Sequence, residues 1–428
     1  MSAHCSKADD RIDDGTGDET DGRPPADARL APPDGPPPTR LVLLFAVACG
    51  SAVANVYFAQ PLLVTLGEQF ALGPGLLGAI VTVTQLGYAV GLLLLVPLGD
   101  LLDRRKLITA QLGLLAVALL LAGLAPGAAL LFAALAAVGA LAVVAQTMVA
   151  AAAHLAAPAF RGRVVGAVTS GVITGILLAR TVAGVLADLA GWRAVYLLSA
   201  AATALLAVLL RRALPYGRPP KTTMSYARLL TSTVALFARH PLLRVRGVLA
   251  LLVFAAFSTL WSSVAQPLSA PPWSLSHTAI GAFGLAGAAG AAAAGAAGRW
   301  NDRGLAQRTT GTALVLLAAS WLPLAFTGRS LWALAAGALL LDFAVQAVHV
   351  TNQSLIYAAR PEAGSRIIGG YMVFYSAGSA LGAIGSSAAY AAAGWTAVSA
   401  LGAAFSIAAL LLWATTRRLP GATDGTVR

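Results

Sequence analysis

The sequence predicts an all-α, polytopic membrane protein with 12 transmembrane helices in two six-helix parallel repeats. Three observations predict it. Of 428 residues, 58% are hydrophobic and 11% charged, and the mean hydropathy is +0.77, a balance that does not suit a polar surface. Apolar runs close to the ~20 residues of a spanning helix recur along the chain. Landmarks of the first half also return, in order, in the second.

The runs place spans 1 to 12 at 41–66, 75–98, 107–125, 128–152, 164–189, 192–212, 245–268, 276–298, 309–327, 330–356, 366–390 and 394–416. They are continuous rather than alternating, so a barrel is excluded and helices remain. The repeat is carried by three pairs. GDLLDRR (99–105) after span 2 matches GRWNDRG (298–304) after span 8, RVVG (163–166) matches RIIG (366–369), and GWRAV (191–195) matches GWTAV (394–398). Two bundles of the same orientation follow, 41–212 and 245–416, joined by a linker at 213–244. Parallel repeats of this kind place a cargo site between the halves, near the midplane, in a rocking transporter.

The first 40 residues hold nine of the 17 acids and are rich in Pro and Gly, so 1–40 is expected to be a disordered cytoplasmic tail, with a second tail at 417–428. No apolar segment with a cleavage site precedes span 1, which excludes a secretory signal. The net charge of +12 could suggest nucleic acid. Its distribution points to topology instead: of 24 basic residues after Arg40, 21 lie in or beside the segments that follow spans 2, 4, 6, 8, 10 and 12. By the positive-inside rule both termini are cytoplasmic, in a multi-pass protein of the cell (inner) membrane. Cys5 and Cys49 make neither a disulfide framework nor a metal site. HExxH, GxxxxGK[ST] and G-x-S-x-G patterns are absent, which argues against an enzyme. No cofactor and no nucleic acid are expected; the expected partners are a small molecule, protons and lipid, with the chain a monomer.

Candidate site residues are the polar groups inside spans. Between Ile108 and Tyr357 the acids are Asp188, Asp302 and Asp342, and the first two lie beside Gly-containing breaks. Asp342 falls mid-span, where an ionised group costs about 3 kcal/mol or more. With Gln346, His349 and Gln353 it is spaced by four, three and four residues, a polar stripe on one helix face. Arg180 is the base well inside a span, and with Asp342 it forms the expected transport site. Burial disfavours a lone carboxylate charge and a nearby cation restores it, so Asp342 is poised either to exchange a proton or to stay permanently paired. His349 titrates near neutral pH in water, although hydrogen-bonding spacers are the commoner use. Asn55, Tyr57 and Gln60 in span 1, Gln85 and Tyr88 in span 2, Gln146 in span 4, Trp261 in span 7, and Tyr371 and Tyr375 in span 11 complete the cavity candidates. Trp192 and Trp395 are expected at the outer interface, and Gly281, Gly284, Gly287 and Gly290 form a small-residue run for close helix packing.

In these residues the chain, from about 41 to 416, resembles the major facilitator superfamily, and within it the bacterial proton-coupled drug and metabolite efflux members. Their signature after span 2, G-x-L-x-D-R with a basic cluster, is matched by Gly99, Leu101, Asp103, Arg104, Arg105 and Lys106, and ANVYFAQPLL in span 1 is also similar. The resemblance implies alternating access, proton-coupled efflux, and a gating role for Gly99, Asp103, Arg104 and Arg105; setting topology is the other reading of these bases. It also shows two departures. The helix-4 arginine of L-x-R-x-x-Q-G is Val143 here, leaving Gln146, and the helix-5 G-P-x-x-G-G is replaced by ARTVAG, with Arg180 at the proline position and Ala179 and Ala183 at two glycines. Span 11 has Ala383 at the place equivalent to Arg180, so the arginine is no feature of the repeat. Proton-independent diffusion of a zwitterion recognised by Asp342 and Arg180, and uptake symport of a small polar metabolite, are the alternatives.

Overall fold

The computed structural model describes residues 37–157, 159–215, 225–359 and 364–417, and all regular structure among them is helical. Most of the two expected tails and residues 216–224 of the linker lie outside the described residues. In chain order the helices are α1 Thr39–Ala54, α2 Leu63–Gln69, α3 Leu77–Leu94, α4 Arg104–Gly123, α5 Ala128–Ala142, α6 Val144–Leu155, α7 Arg161–Ala190, α8 Trp192–Ala213, α9 Tyr226–Arg239, α10 Pro241–Trp261, α11 Ala265–Ser269, α12 His277–Ala282, α13 Gly287–Asp302, α14 Ala306–Leu324, α15 Leu331–Ala359 and α16 Gly364–Thr416. Among the described residues the helices arrange as twelve crossings, because α1 with α2, α5 with α6, α10 with α11, and α12 with α13 each make one interrupted span, and α16 bends into two. We call the side holding Thr39 and Thr416 the near side and the opposite one the far side.

Several spans read as continuous are broken, and local chemistry explains where. Span 1 stops at Ala54, where the Asn55 amide donates to the Ser51 carbonyl at 3.0 Å and its oxygen accepts from Ser199 Oγ at 2.6 Å. The chain then passes through a short 3-10 turn, Gln60–Leu62, containing Pro61, which has no N–H to continue an α-ladder. Span 8 is interrupted by a second 3-10 turn, Phe283–Ala286, inside its glycine run. At the two GW sites both halves use glycine in the left-handed region, Gly191 at φ 80° and Gly394 at φ 63°, to turn sharply into the last span of each repeat. The linker is not a plain connection. Its α9 lies against both halves, Tyr226 donating to the Leu94 carbonyl at 2.7 Å and Phe237 stacking on Phe374 at 5.5 Å.

One apolar core runs through the first six spans and another through the last six. The halves meet along two seams. In one, Thr82 donates to the Ala380 carbonyl at 3.0 Å and a Cβ on Gly78 would fall 2.0 Å from the Ala383 carbonyl oxygen, so α3 lies directly on the first limb of α16. In the other, α7 lies on α12, with Thr181 donating to the Gly281 carbonyl at 3.1 Å. Leu43, Leu114, Leu205, Leu322, Trp332 and Leu411 are exposed around the outside, as lipid-facing side chains should be. Trp192 corrects the interface expectation: it is buried against Phe70 and Tyr196 because the turn at Gly191 folds it inward, and Trp395 donates to the Leu324 carbonyl at 2.7 Å within its own half.

Candidate functional site

Arg180 and Asp342 arrive from opposite halves at one small cavity of about 30 Å³. The first sits two-thirds of the way along α7, the second near the middle of α15, and both are 3% exposed. Arg180 donates through Nε to Gln60 Oε1 at 2.6 Å, a contact made possible by the break in span 1. Its guanidinium lies over the Trp261 ring at 4.2 Å, with Tyr57 at 5.3 Å and Phe257 at 5.6 Å, so three aromatic faces surround the cation. Asp342 Oδ1 accepts from the indole N–H of Trp261 at 3.1 Å. No ion pair joins Arg180 to Asp342 among the described residues; the face of Trp261 holds the cation and its edge holds the carboxylate.

The cavity wall is completed by Ile173, Ile176 and Leu177 of α7, Phe257 of α10, Gly287 and Gly290 of α13, and Gln346 of α15. The glycine run is therefore part of the site as well as a packing face. A Cβ on Gly281 would fall 2.4 Å from the Arg180 carbonyl oxygen, one on Gly284 2.9 Å from Arg180 Cβ, and one on Gly290 2.8 Å from Gln346 Cγ. Only side chains as small as hydrogen admit these neighbours.

The polar stripe of α15 divides. Asp342 and Gln346 face the cavity, whereas His349 shares a hydrogen bond with Tyr371 through Nδ1 at 3.0 Å and another with Gln353 through Nε2 at 3.2 Å. Both ring nitrogens of His349 are thus engaged, and its ring packs on Phe254 at 5.1 Å. Nearby, Arg246 donates to Asn352 Oδ1 at 3.1 Å, so one of the bases that the charge distribution assigns to topology is a buried cation. Tyr57 and Tyr375 share a hydroxyl–hydroxyl bond across the two halves. Asn55 is engaged by α1 and α8, and Gln85, Tyr88 and Gln146 are not in the wall of the Arg180 cavity. Phe257 was missed, yet it lies four residues before Trp261 on the same face of α10, a spacing that would have found it.

At the far side a second cross-half cluster was also missed. Asp188 at the end of α7 accepts from the backbone N–H of His277 at 3.2 Å and of Thr278 at 2.7 Å, and pairs with His277 Nδ1 at 2.7 Å. His277 Nε2 in turn bonds Thr65 Oγ1 at 2.7 Å. The acid beside a glycine break was the available signal. In the loop after span 2, Asp103 caps α4 by accepting from the Arg105 N–H at 2.8 Å, Arg104 donates to the Gly99 carbonyl at 3.3 Å, and Arg105 donates through Nε to the Arg211 carbonyl at 2.9 Å. These bonds brace the near side of the first half.

Residues 43–295 match the family model described as Major Facilitator Superfamily. The uncharacterized transporter YgaY of Escherichia coli O157:H7 is 46% identical over 373 residues, covering 87% of this chain and 94% of that protein. The probable transporter SCO4007 of Streptomyces coelicolor is 33% identical over 365 residues, covering 85% and 84%. A solved bacterial homolog to the human lysosomal transporter Spinster, in an inward-facing and occupied conformation, aligns with a TM-score of 0.72 over 91% of this chain and 99% of that one; at 14% identity the likeness is one of fold. Twelve spans around a cross-half cavity, the matched model and these relatives agree: the chain is a membrane transporter and belongs to the Major Facilitator Superfamily.

Proposed function

We propose that this transporter exports a small amphipathic molecule across the bacterial inner membrane in exchange for protons, with Asp342 as the proton carrier. The observation that carries the reading is the state of Asp342: buried between the halves, held by one indole N–H, and not ion-paired. A carboxylate so placed is stabilised by a proton or by a visiting cation, and it changes partner when the cavity opens to water. The alternative of a permanent Arg180–Asp342 pair is disfavoured because no ion pair joins the two among the described residues and each is instead held by Trp261. The halves 41–212 and 245–416 act as the moving bodies, with 213–244 joining them and both tails in the cytoplasm. The near side is then cytoplasmic, where the basic residues cluster. The Asp188 cluster supports a conformation closed on the far side, and the loop of Gly99, Asp103, Arg104 and Arg105 supplies the inner gate.

The test uses inverted vesicles energised with a pH gradient and a dye that reports it, screened with drugs, sugars and amino acids. Cargo addition releases protons in the native protein. Asp342→Asn should abolish this proton movement and keep energy-independent cargo exchange, since the amide preserves size and hydrogen bonding while removing ionisation. An Asp342→Asn protein that still accumulates cargo against a gradient would sink the proposal.

A further inference from the structure

Two residues of opposite charge line the cavity, each with an atom that has no hydrogen-bond partner among the described residues. Arg180 uses Nε on Gln60 and its flat face on Trp261, which leaves Nη2 buried without a hydrogen-bond partner. Asp342 uses Oδ1 on Trp261, and its other oxygen, Oδ2, lies beside Gly287, 3.6 Å from where a Cβ there would stand. No hydrogen bond joins the cation to the carboxylate, so Nη2 of one and Oδ2 of the other are left without a partner. A buried guanidinium with a spare donor is costly, and so is a buried carboxylate with a spare acceptor.

We infer that the cargo is a small zwitterion of the α-amino-acid type, its carboxylate taken by Arg180 and its ammonium by Asp342. The inference rests on the reading of this cavity as the transport site. A plain cation would satisfy Asp342 yet sit beside an unpaired guanidinium, and a plain anion would meet the reverse problem. A zwitterion answers both charges at once and adds no net charge to the membrane interior. The remaining wall, Ile173, Ile176, Leu177 and Phe257, suits an aliphatic or aromatic side chain. The space of about 30 Å³ admits water rather than an amino acid, so cargo enters when the halves separate around it. Exchange follows from the chemistry: the ammonium and the proton compete for one carboxylate, so one leaves as the other arrives. The charged or titratable groups around Asp342 are Arg180 of α7, Tyr57, whose ring lies on the Arg180 guanidinium, and Tyr375, which is bonded to Tyr57.

Binding to the purified full-length protein in detergent, by isothermal titration, tests this with two series. L-leucine is compared with 3-methylbutylamine and 4-methylpentanoate, and L-phenylalanine with 2-phenylethylamine and 3-phenylpropanoate. At least one zwitterion should bind, with its amine and its acid each about tenfold weaker or more, as expected on losing a charge-assisted hydrogen bond. Arg180→Gln should remove the preference over the amine, and Asp342→Asn the preference over the acid. The native protein alone decides the matter if a variant fails to fold. An amine or acid that equals its zwitterion, or failure of both zwitterions to bind, overturns the inference. Proton movement lost in Asp342→Asn vesicles despite that failure would leave the proton role intact, so the two readings fail separately.

Discussion

Trp261 touches both charges of the site, and its two contacts are separable by mutation. Trp261→Phe keeps a ring under Arg180 but removes the N–H that Asp342 accepts, leaving a buried carboxylate oxygen without its donor. The expected loss is about 1–3 kcal/mol of stability, read as a lowered midpoint of thermal unfolding in detergent, together with reduced transport. A variant as stable and active as the native protein would show that the indole N–H does not position Asp342. The sequence made Arg180 and Asp342 legible because each stands out against an apolar run. The role of Trp261 was not legible, since 81 positions separate it from Asp342 and no spacing rule reaches that far. Likewise the 4-3-4 spacing of α15 suggested one continuous polar face, whereas only Asp342 and Gln346 line the cavity, and the point at which the Tyr371 network begins is set by neighbouring helices.

Helices were the most legible feature at the next scale, because bilayer thickness and hydropathy together dictate their length. Their interruptions were not. The break after Ala54 depends on Asn55 meeting Ser199 from α8, a tertiary contact, and the turn at Phe283–Ala286 depends on how closely α7 and α15 approach span 8. That approach yields a contrast within one glycine run. Gly281→Ala would drive a methyl to 2.4 Å from a backbone oxygen of α7, whereas at Gly287 the neighbours, Leu177 Cδ1 at 3.4 Å and Asp342 Oδ2 at 3.6 Å, are at ordinary contact. Gly281→Ala is therefore expected to lose about 1–3 kcal/mol, the usual penalty of overpacking, while Gly287→Ala melts within a degree or two of the native protein. Equal melting of the two would mean that the α7–α12 seam adjusts freely.

Across the whole molecule, the Asp188 cluster ties α7 and α2 of the first half to α12 of the second. The side chains of His277 and Asp188 are 29% and 28% exposed, so solvent screens their contact, and the backbone donors of His277 and Thr278 carry most of the closure. Asp188→Ala should shift the balance toward far-side opening by about tenfold, the worth of one charge-assisted hydrogen bond. Spin labels in the turns 71–74 and 271–274 would report this as a growing population at longer distance. An unchanged distance distribution would remove the cluster from the gate.

The bond between Tyr57 and Tyr375 lies beside the Arg180 guanidinium instead of in that cluster. In a rocking body, displacement grows with distance from the axis, so groups at either rim separate widely while groups at the fulcrum scarcely move. A link close to that fulcrum would not favour one tilt over the other; it would act on both strokes as a bearing does. Tyr57→Phe is accordingly expected to change the opening rates toward both sides by the same factor and to leave their ratio, read from the same label pairs, where it was.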